Sequence, residues 1–338
     1  MEIAAFTIIW VALGLYALLA GADFGVGVWV LLSYLFRRGE DLRRDAMGYF
    51  GPVWEINTLF LVFFMVGLMS AFPRAIGVLG LTLIPLVLVA LVMFVLRAGA
   101  YALLHSGVER GRTATMVVFG VSSVLAGVLL GYTATAPASG FIRGDELRPG
   151  FYTSAIALAS LPMGLAASAH LSALAVCAYA AARESRSAAW YRRAALVSGF
   201  LVLPCVGVFT LTMLADAPHT AARLQGAHAL PMAAGALLVA AGTLALWRRR
   251  HALAALLVFA GYLAGLLGGA FAQLPYLIYP GLTLERAAAP DSTLMAYLVV
   301  TAAGGPLLIA AMVALYHTTL GPDRRRRGEL VEETARGG

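Results

Sequence analysis

Asp23 and Glu55 are carboxylates set in stretches otherwise apolar enough to cross a bilayer: Leu19-Ala20-Gly21-Ala22-Asp23-Phe24-Gly25-Val26-Gly27 and Gly51-Pro52-Val53-Trp54-Glu55-Ile56-Asn57. An ionised acid at the middle of a membrane helix costs about 2.5–3.5 kcal/mol even on lenient scales, so such residues mark proton or ion routes or buried pairs. A polar turn near Gly39 and Glu40 separates the two acids, with about sixteen residues on either side. At about 1.5 Å per residue, an antiparallel helical hairpin brings both to similar depth, whether or not they face each other. Trp54 and Asn57 flank Glu55 with an indole donor and an amide that both donates and accepts. Arg97, in the third apolar stretch, falls in the same half of the membrane. A desolvated carboxylate tuned by a neighbouring cation can exchange protons near neutral pH, so Asp23 and Glu55 are the candidate proton path, supported by Trp54, Asn57 and Arg97. The bland alternative is a buried ion pair that only fixes helix register. For Arg97 taken alone, the expectation is snorkelling to the interface.

The elements that must position these groups follow from composition. The 338-residue chain is 61% hydrophobic and 12% charged, with long apolar stretches throughout, which predicts an all-α integral membrane protein. About nine spans are expected, at 3–36, 46–70, 75–104, 112–136, 151–182, 188–214, 227–248, 251–275 and 292–318. Residues 1–320 form one polytopic domain and 321–338 a basic tail. The first span opens Met1-Glu2, lacks a basic flank and runs past signal length, so it reads as a span rather than a cleaved leader.

Charge sets the orientation. Every basic residue is arginine, and the arginines gather in alternate loops: Arg37, Arg38, Arg43 and Arg44; Arg110 and Arg112; Arg183, Arg186, Arg192 and Arg193; Arg248 to Arg250; and Arg324 to Arg327. The positive-inside rule puts those loops and the C-terminus in the cytoplasm and the N-terminus outside. The net charge of +7 is thus a topology signal, and no nucleic-acid partner is expected. The longest loops, near 136–151 and 275–292, fall outside, the second with the aromatic content of an interfacial segment.

Other residues yield to structural readings. Cys177 and Cys205 lie far apart without metal or haem spacing and read as small apolar fillers, so no metal site is expected. His170 is the one histidine deep within a span; a haem would need a second ligand and a porphyrin-sized cavity, so a satisfied interior histidine is expected. His105, His228, His251 and His317 read as interfacial, and His219 as part of an outside loop. Pro85, Pro162, Pro204 and Pro231 are read as structural kinks, and the run from Gly265 to Gly269 as a site of close helix packing.

Gly-Ala-Asp-Phe-Gly-Val-Gly-Val-Trp at 21–29, Gly-Pro-Val-Trp-Glu-Ile-Asn at 51–57, Ala71-Phe72-Pro73-Arg74-Ala75, Tyr279-Pro280-Gly281-Leu282-Thr283-Leu284 and Ala287-Ala288-Ala289-Pro290 together resemble subunit II of cytochrome bd-type quinol oxidases. The resemblance implies two four-helix bundles plus a peripheral helix in the bacterial inner membrane. It implies a haem-free chain that binds no cofactor with certainty and packs against a haem-bearing subunit I. That partner would carry haem b, with haem d as a further candidate, and oxidise quinol. Membrane lipid or quinone is the other expected partner. Asp23 and Glu55 match the family's intramembrane acids, which are linked with proton delivery from the cytoplasm, and Arg97 matches a basic position in its third helix. The chain departs from the family's pattern at Ile56, Thr58, Leu59 and Phe60, where a small residue, a polar group and a second Trp are usual. It also has Val30 where many relatives carry an acid.

Two other functions remain open on sequence. A secondary transporter could use Asp23 and Glu55 as coupling-ion ligands, but its usual repeated halves are not visible. A structural membrane partner would use them for assembly alone.

Overall fold

In a bilayer each backbone N–H and C=O must be paired within its own segment, so long apolar runs fold as helices. The computed structural model describes residues 1–35, 39–106, 111–224, 226 and 229–319. In chain order the helices are α1 (Glu2–Leu35), α2 (Glu40–Ala71), α3 (Pro73–His105), α4 (Arg112–Ala134), α5 (Ala155–Ala182), α6 (Ala188–Asp216), α7 (Pro218–Leu224), α8 (Ala229–Trp247), α9 (His251–Gln273), α10 (Leu284–Ala287) and α11 (Asp291–Thr319). Among the described residues nine helices, all but α7 and α10, are long and apolar enough to cross a membrane. Arg37, Arg38, Arg110, His228, Arg324 to Arg327 and the 321–338 tail lie outside the described residues, as do the side chains of Pro52 and His317.

Two helix starts differ informatively from the expected spans. α2 begins at Glu40 rather than 46, because Glu40 and Asp41 suit the positive end of a helix. α5 begins only at Ala155, behind a 3-10 turn over Pro149–Thr153, and the Ser154 hydroxyl accepts from the Ala157 N–H as its cap. α2 and α3 are joined through Phe72 alone: its N–H donates to Leu68 O at 2.9 Å, and Pro73, which has no N–H to give, opens the next helix. Pro85, Pro162 and Pro204 lie inside helices, whereas Pro231 sits in the first turn of α8, where proline is tolerated. Pro306, inside α11, is a further interior proline.

α1 to α4 form one four-helix bundle, and α5, α6, α8 and α9 a second. α11 stands apart, against α2 and α1. α1 is the shared wall, packing on both α4 and α5. There Gly25 lies so close to the Ser168 backbone, and Gly27 to Gly120 and Ser123, that neither has room for a Cβ. Trp29 then ties the bundles together, its indole N–H donating to Ser172 Oγ (2.8 Å) and Ala169 O (3.2 Å). The glycine run in α9 packs on α8 through Gly268, where a Cβ would lie 3.0 Å from Met232 Cγ, while added Cβ atoms on Gly265 and Gly269 would meet open space. The tightest approach is one turn before the run, at Gly261, where a Cβ would lie 2.6 Å from Gly235 O.

The two helix ends differ. At the arginine-poor end, β1 (Ile142–Arg143) pairs with β2 (Glu146–Leu147), and β3 (Tyr276–Ile278) with β4 (Leu282–Thr283), both antiparallel. The 275–292 segment is thus a hairpin plus α10, pinned by Tyr279 N to Pro137 O (2.8 Å) and Ala289 N to Ala71 O (2.9 Å). At the arginine-rich end, buried Asp45 accepts from the hydroxyls of Ser185 and Ser187, and Tyr191 Oη donates to Leu42 O at 2.8 Å. These bonds tie α2 to the start of α6.

Candidate functional site

Asp23 is fully buried in α1 and Arg97, in α3, is only 1% exposed. Arg97 Nη2 donates to Asp23 Oδ1, forming the one ion pair buried on both sides among the described residues. The expected snorkelling of Arg97 is therefore corrected. A guanidinium that finds a carboxylate inside the bundle gains more than one stretched to the interface, because both desolvated charges are neutralised together. Asn57, also 1% exposed, brings its side chain beside the same carboxylate from α2.

The rest of the Arg97 pocket is aromatic. Its Cζ lies 4.5 Å from the Phe50 ring centre, 4.7 Å from Phe24, 5.8 Å from Phe119 and 5.9 Å from Phe94. Each helix of the first bundle contributes one ring: α1 Phe24, α2 Phe50, α3 Phe94 and α4 Phe119. A desolvated cation over an aromatic face is stabilised by about 2 kcal/mol, so the cage supports the charge that the pair alone would leave half served. Sequence reading missed these rings. Phe24 adjoins Asp23 and Phe94 is one turn from Arg97, but nothing local marks Phe50 or Phe119.

The cluster keeps unused hydrogen-bonding capacity. Asp23 Oδ2, Asn57 Oδ1, Arg97 Nε and Arg97 Nη1 are buried without a protein partner. Buried polar groups are nearly always paired, so four unpartnered atoms on three neighbouring side chains set this cluster apart from the rest of the apolar bundle. Beside it, a crevice between α2 and α3 is lined by Phe50, Trp54, Phe94, Arg97, Ala98 and Tyr101.

Glu55 is not brought to this cluster. It is exposed, on the outer face of α2, and makes no ion pair among the described residues; Tyr101 of α3 feels its charge. The reason is azimuthal: residues two apart on a helix point about 200° apart, so burying Asn57 turns Glu55 outward. Trp54 lies between, half-buried, stacked on Phe50 at 6.2 Å. Of the positions that depart from the resemblance, Thr58 is exposed and bonds back to Trp54 O (2.9 Å), Ile56 is half-buried, and Phe60 is half-buried in the apolar cluster that also holds the cage rings Phe24 and Phe94. Val30 is fully buried in the core, an apolar residue in an apolar setting.

His170 is buried in α5. Its Nδ1 is 3.1 Å from Tyr262 Oη, and a Cβ on Gly199 would lie 3.2 Å from its Nε2, so α6 closes over the ring. These residues do not fit a haem. Cys177 is buried with its Sγ 3.4 Å from His251 Nδ1, and among the described residues no three His, Cys, Asp or Glu side chains are placed to hold a metal.

Residues 1–319 match the family described as cytochrome bd terminal oxidase subunit II. A Bacillus subtilis (strain 168) protein, named as a candidate cytochrome bd menaquinol oxidase subunit II, is 27% identical over 303 residues, covering 83% of this chain and 84% of its own. In fold, the chain is similar to a chain in the structure of bd oxidase from Geobacillus thermodenitrificans. The TM-score is 0.81 at 23% identity, over 95% of this chain and 99% of that one.

Proposed function

We propose, from the premise that this chain belongs to the cytochrome bd terminal oxidase subunit II family, that it is the haem-free partner of a haem-bearing subunit I. Its first bundle would serve proton delivery to the oxygen-reducing centre from the arginine-rich, cytoplasmic end. Reducing oxygen to water takes up one proton for each electron, and a proton cannot cross apolar packing without polar stations. The observation that carries the reading is the Asp23–Arg97–Asn57 cluster, fully buried yet with Asp23 Oδ2 and Asn57 Oδ1 unpartnered. A proton reaching Oδ2 neutralises Asp23 and releases Arg97 to its aromatic cage; its departure restores the pair.

Glu55 supports the same reading from the surface. A carboxylate at that depth is costly in contact with lipid, so the α2–α3 face that carries it is the one for the partner subunit to cover. Quinol oxidation and oxygen chemistry belong to that partner, and no step of them is assigned to residues of this chain.

The test is Asp23→Asn in the assembled oxidase, with quinol-dependent oxygen uptake measured beside the haem spectrum and subunit recovery. Slow turnover with full assembly and an unchanged spectrum is the expected result. Loss of assembly would favour a purely structural role for the pair, and unchanged turnover would refute the proton route through Asp23.

A further inference from the structure

The arginine-rich end holds an arrangement that neither the oxidase chemistry nor the ion pair uses. The turn from α8 to α9 runs Trp247-Arg248-Arg249-Arg250-His251. Arg249 sits at φ 61°, a left-handed conformation that crowds the Cβ of a non-glycine residue. The turn itself is closed by Arg249 N to Leu246 O (3.0 Å) and Arg250 N to Ala245 O (2.9 Å), a helix ending at which glycine is the usual residue. Across from it, Cys177 Sγ lies 3.4 Å from His251 Nδ1 and 3.5 Å from Ala188 O, which brings the turn against the start of α6, one helical turn from Arg192. None of Arg192, Arg248, Arg249 and Arg250 makes an ion pair among the described residues.

Like charges gathered without a carboxylate repel one another, and the uncapped start of α9 adds the positive end of a helix. Such a cluster is stabilised by an anion. Its setting favours one source. Trp247 is 69% exposed beside the arginines, as suits the membrane interface. From there, exposed apolar residues run into the bilayer: Phe200 on α6, Leu244 on α8 and Leu256 on α9. A charged head above an apolar wall is the complement of an amphiphile, not of a free ion. We propose that Arg192, Arg249 and Arg250 hold the phosphodiester headgroup of an anionic phospholipid between α6 and the α8–α9 turn, with its acyl chains along those helices.

The test uses the purified oxidase complex titrated with phosphatidylglycerol or phosphatidylcholine in detergent, with bound lipid counted by native mass spectrometry. Each arginine at a membrane surface contributes about a fivefold gain for acidic lipid, so Arg192→Gln, Arg249→Gln and Arg250→Gln together should weaken phosphatidylglycerol roughly a hundredfold and leave phosphatidylcholine unchanged. A control with Arg43→Gln, Arg44→Gln and Arg186→Gln removes equal charge from the same end and should keep wild-type affinity. An equal loss in the control would show a diffuse surface and overturn the site. Inorganic phosphate displacing the lipid at equal concentration would overturn the lipid as occupant. Arg249→Gly separates binding from folding: it should raise the unfolding temperature while weakening phosphatidylglycerol about fivefold. Retained affinity in that variant would remove Arg249 from the site.

Discussion

Replacing Arg97 with methionine tests the energetic reasoning most directly. The side chain is 2% exposed and its carboxylate partner is fully buried, so the substitution strands Asp23 in the first bundle with only Asn57 beside it. Removing one partner of a buried pair costs about 3–5 kcal/mol, most of it the uncompensated charge left behind. If that account holds, adding Asp23→Asn should return part of the loss, because the stranded charge is gone. The expected coupling between the two sites is about 2–3 kcal/mol, at the upper end for residues in direct contact. The assay is a denaturing-detergent titration of the purified complex for wild type, both single variants and the double variant. Additivity within about 0.5 kcal/mol would refute the argument, since residues that do not interact add to that precision. The aromatic cage makes a further demand: Asp23→Asn should be milder than Arg97→Met, because four rings still serve the guanidinium.

Glu55→Gln should leave subunit recovery intact and slow proton uptake during turnover; unchanged uptake would remove Glu55 from the route. Asp45→Ala takes an ionised acceptor from two serine hydroxyls and should cost about 2–3 kcal/mol, with faster protease cleavage at 183–187 as the local readout. Gly261→Ala drives a Cβ against the Gly235 backbone and should cost about 1–3 kcal/mol, whereas Gly265→Ala, which meets nothing within 4 Å, should be silent in the same titration.

The number of spans and their order were legible because position along the chain is a count and hydropathy reports apolar length directly. Azimuth was not legible. Helices uniformly apolar around their circumference give no stripe by which to orient them, so Glu55 and Asn57 could not be separated until packing placed one inside and one outside. The cage escaped for a related reason: Phe24, Phe50, Phe94 and Phe119 come from four helices, and only their convergence on Arg97 distinguishes them from ordinary apolar residues. Asp45 escaped because its serine partners lie some 140 positions away. The short hairpins near 142–147 and 276–283 carry too few residues for a strand period to show.

The single-residue link at Phe72 bears on how the protein is made. With so short a turn, α2 and α3 enter the membrane as one hairpin, and α3 brings Arg97 with it. α1 has by then delivered Asp23 to the bilayer. Each charge alone carries an insertion penalty of about 2.5–3.5 kcal/mol at the helix centre. The penalty is relieved only when α1 and α3 meet with the rings of α2 and α4 around them. A nascent chain whose first bundle has not closed therefore displays an unmet charge inside the bilayer, a signal membrane quality control can read before any partner subunit arrives.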